Sequence, residues 1–430
     1  MNRLVIAVLV MCCVGSSRVA ADQAIVTTTD FSSGSLSSLD LTTRLATNDQ
    51  LTIHSDAAVR TYQDKVYVIN RLGQDNVIVL DKNNLRTPLK QYSTGNGTNP
   101  QDMVFVSETK AYISLYGGHN LLVVNPVTGD SLGVVDLAGF ADADGIPEMN
   151  SLALYNGRLF VACQRLDQKN GFVPADYSVI AVIDVATNQV VDVDSAVSGV
   201  QGIVMSGKNS ADASQWGSRW IMSTVNTFGN LADGGIEVID LDKLTSEGVV
   251  VGEAQLGGNV NSVVMVQKNK GYVVVSDANF ANLVRQFDLS TKGVSENLPG
   301  ISGGYVPGLG AFNGRLYVLD RGSFTDPASA GVRVYDVATN QLIAGPIATG
   351  LPPLAIAFVG APASLRADFN EDGGIGFPDF LAFASVFGKK STDTGFEVKF
   401  DLNANGSVDF ADFLIFFLTF PEHGVRLFLV

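Results

Sequence analysis

Residues 332–343 read VRVYDVATNQLI, and residues 180–191 read IAVIDVATNQVV. Each is an apolar, β-branched run that ends in Asp, passes through a short polar turn and resumes as a second apolar run. That is how a strand–turn–strand unit is written. The phrase recurs as SLSSLDLTT, VIVLDKNN, LLVVNPVTG, IEVIDLDKL and VRQFDLSTK. Its acidic position falls at Asp40, Asp81, Asp184, Asp240, Asp288 and Asp336, with Asn125 as the variant. An Asx side chain accepts hydrogen bonds from backbone N–H groups just downstream, so these residues are expected to cap turns.

Upstream of most copies lies a second strand: KVYVIN, KAYISLY, RLFVACQ, RWIMSTV, GYVVVSD and RLYVLDR. A third precedes it, in NPQDMVFV, IPEMNSLAL, GVQGIVMS, NVNSVVMV and VPGLGAF. Period-two alternation between turn signals predicts half-buried antiparallel strands. Three strands and a closing edge, repeated every 40 to 60 residues, make a propeller blade. The copy around Asp40 lacks its inner strand, and PPLAIAFVG (352–360) is an inner strand without a blade. Pairing the two closes a ring and hides a sheet edge. The expectation is a mostly β chain whose residues 22–362 form a seven-bladed β-propeller with a split closing blade. An open β-solenoid would leave the last strand unexplained.

On the phrase V-x-V-I-D-x-x-T-N-x-V, matched most closely at 180–191 and 332–343, this region resembles the YncE-like and surface-layer-type propellers. The resemblance covers about three-quarters of the chain and implies a fold. Its superfamily holds binding modules, lactonases and cofactor-dependent dehydrogenases, so it does not choose an activity.

Connections between second and third strands fall on one face of a propeller. They bring Arg71, His119, Arg165, Asn226, Asp277 and Arg321 to the channel mouth, a set suited to a carbohydrate or a small anionic ligand. No C-x-x-C-H, H-E-x-x-H, Walker or G-x-S-x-G motif is present, and no catalytic residue is assigned.

The chain closes differently. DFNEDGGIGFPDF and DLNANGSVDFADF place oxygen ligands at positions 1, 3, 5, 7 (through the carbonyl) and 12 of an EF-hand loop, 33 residues apart. The first loop offers Asp368, Asn370, Asp372, Gly374 and Asp379. The second offers Asp401, Asn403, Asn405, Ser407, Asp409 and Asp412. Hard oxygen donors in this order suit two Ca²⁺ ions. Each loop runs into a helical stripe, Phe380, Phe383 and Phe387 or Phe413, Phe416 and Phe420, expected to form a small core.

A calcium loop followed by one helix, duplicated after a short linker, resembles a type I dockerin over residues 366–421. The resemblance implies a small α-helical calcium-binding domain, set at residues 363–421 with a tail at 422–430. It also implies docking to a protein partner, cohesin-like or a cell-envelope component. At loop positions 10 and 11, where cellulosomal dockerins often carry Ser-Thr, this chain has Phe377-Pro378 and Phe410-Ala411.

Residues 1–21 read as a signal peptide: an early Arg, an apolar run from Leu4 to Val14, and small residues before Asp22. Cleavage would remove Cys12 and Cys13 and leave Cys163 alone, so no intrachain disulfide is expected. The net charge of −15 argues against a nucleic-acid partner, and no later segment reaches membrane-spanning length. The chain is expected outside the cytoplasm: extracellular, cell-envelope associated or periplasmic. Its expected role is a non-enzymatic recognition or scaffold protein. The alternative is an extracellular hydrolase, carbohydrate-active or lactonase-like, acting on polysaccharide or a lactone-like substrate at the mouth.

Overall fold

The structure is a computed structural model that describes residues 23–359, 367, 369, 376–402 and 406–418. Six four-stranded antiparallel sheets and one of five strands, the fourth, follow one another along residues 23–359. Their first strands pack side by side in a closed circle, which makes a seven-bladed β-propeller. In blade 1 the order from the axis outward is Pro353–Val359, Gln23–Thr29, Gly34–Asp40 and Ala46–Ile53. Gln23 pairs with Val359 and Thr27 with Ala355, so the split blade closes as its two fragments foretell. Blades 2 to 7 occupy residues 57–93, 100–136, 149–204, 210–252, 259–297 and 309–347.

The second and third strands depart from the expected alternation. Val66 to Asn70 and Val179 to Ile183 are each buried at five consecutive positions. A blade wedged between two neighbours buries both faces, so its central strands are continuously apolar. Only the fourth strands, such as Ala46–Ile53, face solvent along much of one side. At the split blade Ala24, Val26 and Leu39 pack on Leu319, Val332 and Val334 of blade 7. Phe312 and Phe358 stack there with centroids 5.0 Å apart.

One inner strand was misplaced by the sequence reading. Within GVQGIVMS, Ile203–Val204 pairs with the third strand of blade 4, and the inner strand of blade 5 is Ser210–Trp216. SADASQW is too polar to look like core, because alternate side chains of an innermost strand face the channel rather than another sheet.

The repeated Asp caps its turn in every blade. Asp184 accepts from the N–H and the hydroxyl of Thr187, both at 2.8 Å, and Asp336 accepts from Ala338, Thr339 and the Thr339 hydroxyl. Asn125 accepts from Val127 and Thr128, so only an acceptor oxygen is required. The Thr187 hydroxyl holds Asp184, and the Ser290 hydroxyl holds Asp288, below the ordinary carboxylate range. That stabilisation is present at neutral pH and is lost as pH falls through the depressed values. The Asn of the phrase welds blades together: Tyr112 of blade 3 donates to Asn188 of blade 4, and Tyr272 of blade 6 to Asn340 of blade 7, both at 2.5 Å.

Two short helices, Phe377–Val386 and Phe410–Leu418, follow the propeller. Phe369, Phe383, Phe400 and Phe416 form their shared core, with Phe383 and Phe416 centroids 5.4 Å apart. Phe380 and Phe413 pack against that core, whereas Phe387, just past its helix end, is half exposed. The expected signal peptide and the residues 422–430 lie outside the described residues, as does Phe420. Among the described residues no helix is long and apolar enough to cross a membrane, and Cys163 is a buried free thiol.

Candidate functional site

Strand direction alternates within each blade, which sorts the connections onto two faces. Hairpins between first and second and between third and fourth strands make a turn face, where the Asp caps lie. Second-to-third connections and blade-to-blade crossovers make a loop face. The closing strand Pro353–Val359 begins on the loop face and ends on the turn face, where the chain leaves the propeller.

At the loop-face mouth, the Arg321 N–H donates to the Tyr305 carbonyl at 3.0 Å. Arg71 forms an ion pair with Asp56, and its Nη1 donates to the Gln101 side chain at 2.9 Å. Arg321 donates from Nη2 to the Thr29 carbonyl at 2.9 Å and from Nη1 to the Pro352 carbonyl at 3.3 Å. Its guanidinium lies 4.2 Å from the centroid of Phe31. Desolvation in the mouth raises the half-exposed Tyr305 phenol above its ordinary value, against the pull of Arg321 and Arg71. A carboxylate offsets the charge of Arg71, and backbone carbonyls occupy donors of Arg321 without cancelling its charge.

The other four expected residues do not join this cluster. Asn226 accepts at 2.6 Å from the Lys208 N–H of the crossover into blade 5 and ties two connections together, and Asp277 accepts from Asn279 and Ala281 within its own loop. His119 is exposed, and its carbonyl accepts from Leu137. Arg165 belongs to blade 4, whose long connection folds a two-stranded ribbon, Leu166–Asp167 with Val173–Pro174. Its guanidinium stacks 4.1 Å from the centroid of Tyr177 beside a cleft of about 430 Å³, which Asp142, Asp167 and Asp176 also line. Behind the ribbon, burial pushes the Glu148 carboxyl up to about 7, although the Leu166 N–H and the Gln168 amide both donate to it.

Two carboxylates of the channel went unread in the sequence. Asp102 pairs with Arg60 at 2.7 Å and accepts the Leu152 N–H of the next blade at 2.9 Å. Asp212 repeats the link, accepting the Val263 N–H at 3.1 Å and the Ser262 hydroxyl at 2.7 Å. Each follows a register shift in its inner strand, where an N–H of the neighbouring blade needs an acceptor. A lone Asp inside an otherwise strand-like run was the available signal.

In the C-terminal unit, Asp379 and Asp412 close their loops fully buried. Each accepts an N–H from three residues before it, Gly376 and Asp409, at 2.8 Å. Asp401 accepts the Gly406 N–H at 2.7 Å, and Gly406 takes the left-handed φ of 83° that the sharp turn needs. Ser407 pairs with Lys390 through the Gly406 carbonyl and the Val408 N–H, which turns its own carbonyl away from Lys390. Asp368, Asn370, Asp372, Gly374, Asn403 and Asn405 lie outside the described residues. Among the described residues no three His, Cys, Asp or Glu side chains gather to hold a metal. Each loop ends in a buried acceptor at position 12, and in the second loop the turn at Gly406 folds position 1, Asp401, back over the loop, an arrangement a hard cation fits.

Neither a protein-family model nor a curated protein sequence matches the chain. Solved structures do. A candidate 6-phosphogluconolactonase from Bacteroides fragilis is 11% identical with a TM-score of 0.55, over 80% of this chain and 99% of that one. A functionally unknown protein from Desulfotomaculum acetoxidans is 13% identical with a TM-score of 0.52, over 79% of this chain and 99% of that one. At these identities the likeness shows the propeller fold and nothing further.

Proposed function

We propose that the chain is an exported recognition module in two parts. The propeller presents its loop face to a ligand, and the C-terminal unit, folded around two Ca²⁺ ions, docks the protein to a partner in the cell envelope or in a cohesin-type assembly. One observation carries this reading. Each loop–helix unit buries its closing Asp while leaving a Phe–Leu pair exposed, Phe377 and Leu381 in one and Phe410 and Leu414 in the other. Position 12 is where an EF-hand loop offers its closing carboxylate to Ca²⁺, and a duplicated apolar pair on the outside calls for a cover. The exit of the chain through the turn face supports it further, because a tether there leaves the loop face open.

EF-type sites of extracellular modules bind Ca²⁺ at roughly 10⁻⁴ to 10⁻³ M. At about 100 Kd of free ion, one site adds about 2.7 kcal/mol to the fold that holds it. Calorimetric titration of the full chain tests the reading. The expected result is Ca²⁺-dependent heat in the millimolar range, abolished in Asp379→Asn/Asp412→Asn while the propeller melt stays unchanged. A chain that gives no heat with Ca²⁺ is not this module.

A further inference from the structure

The loop face carries a feature that neither the mouth nor the tail uses. Six blades each lift one large apolar side chain out of their second-to-third connection: Phe31, Leu72, Phe172, Phe228, Phe280 and Phe324. All are at least half exposed, from 51% at Phe172 to 106% at Phe324. In blade 3 the exposed His119 takes this place. Four of the six hold a left-handed backbone, with φ of 71° at Phe31, 41° at Leu72, 61° at Phe172 and 60° at Phe280. Gly or Asn takes that conformation at little cost, whereas a bulky side chain there is strained. Turn geometry therefore does not explain the choice of residue. Contact with something outside the chain does.

We infer that this crown is the docking surface for a cationic polypeptide segment. Charge is the first argument. The loops and crossovers of this face hold twelve acidic side chains against five basic ones. Such a surface repels nucleic acid, anionic lipid and a second copy of itself, and it draws Lys- and Arg-bearing chains. The second argument is what the face does with its own cations. Arg165 lies 4.1 Å from the centroid of Tyr177 and Arg321 4.2 Å from that of Phe31, so two rings here already take a guanidinium. The negative face of an aromatic ring makes that contact favourable. Among the described residues no cation lies over Phe172, Phe228, Phe280 or Phe324. Phe228 and Phe280, from adjacent blades, stack with centroids 6.2 Å apart and leave their outer faces exposed to an incoming cation.

The inference deepens the recognition half of the proposed function by naming the class of ligand, and its failure is separable from failure of the calcium half. Binding of an all-Arg nonapeptide to the full chain at low salt is the test, read by fluorescence anisotropy. An exposed ring that gains a cation contributes roughly threefold in affinity. Phe228→Ala/Phe280→Ala/Phe324→Ala should therefore bind about 30-fold more weakly with an unchanged melt. Affinity should also fall steeply with ionic strength. Three results would overturn the inference. The triple variant could bind within threefold of the wild type, or the wild type could ignore the peptide. The rings could instead be needed for a neutral glucose hexasaccharide, or for a dimer seen in sedimentation, which would reassign the crown. The Ca²⁺ heat of the tail is measured on the same samples and moves with none of these.

Discussion

The two faces of the propeller are built on opposite rules. On the turn face one device is repeated in every blade: an Asx acceptor, one or more captured N–H groups and a return strand. On the loop face no two blades agree. Blade 1 offers a four-residue turn, blade 4 a ribbon with a cleft, and blade 7 a loop that ties Arg321 to the closing strand. Repetition marks what every blade needs in order to fold. Its absence marks where each blade is free to differ, and that is where exposed rings gather.

The comparison breaks first if the ring can do without its clasp. A chain ending at Thr349 loses the inner strand of blade 1 and leaves Gln23–Thr29 as an open edge. It should aggregate on size exclusion and lose its cooperative melt, while a chain ending at Gly360 keeps both. A stable monomer ending at Thr349 would mean that the terminal strands do not hold the ring.

A smaller effect tests what supports the loop face from within. Asp320 is fully buried and pairs with buried Arg333 at 2.7 Å, while also accepting from Ser302 and Gly322. Asp320→Ala leaves a guanidinium uncompensated and should cost about 3–5 kcal/mol in urea unfolding. Because Ser302 and Gly322 lead into the segments of Tyr305 and Arg321, the mouth should loosen with it. An unchanged unfolding midpoint would show that the pair does not hold this face.

Much of this architecture was legible, and the reason lies in the repeats. Asp40 to Asp336 recur because one turn recurs, and PPLAIAFVG was recognisable because it resembles inner strands read earlier in the chain, such as NVNSVVMV and VPGLGAF. The inner strand of blade 5 was missed because its channel-facing side chains are polar, so SADASQW has no apolar period. Arg71 and Arg321 sit in second-to-third connections, which the repeat alone assigns to the loop face. Their partners Asp56, Gln101 and Thr29 come from other loops and crossovers, at separations that no local pattern encodes. The crown was invisible for a related reason. A Phe in a loop looks like stray core until the fold shows that five blades turn one outward on the same side, with Leu72 in a sixth.

The division of labour between the faces is tested most directly by comparing two triple variants in urea unfolding and nonapeptide binding. Asp184→Ala/Asp288→Ala/Asp336→Ala removes caps in three separate blades. Their effects should add, because the blades do not share these contacts. That variant should unfold at a clearly lower urea concentration than any of its single variants and keep its affinity. Phe228→Ala/Phe280→Ala/Phe324→Ala should lose affinity about 30-fold and shift stability by less than about 1.5 kcal/mol, as exposed substitutions do. If the Asp variant loses binding while folded, or the Phe variant unfolds with binding intact per folded molecule, the two faces do not divide folding from recognition.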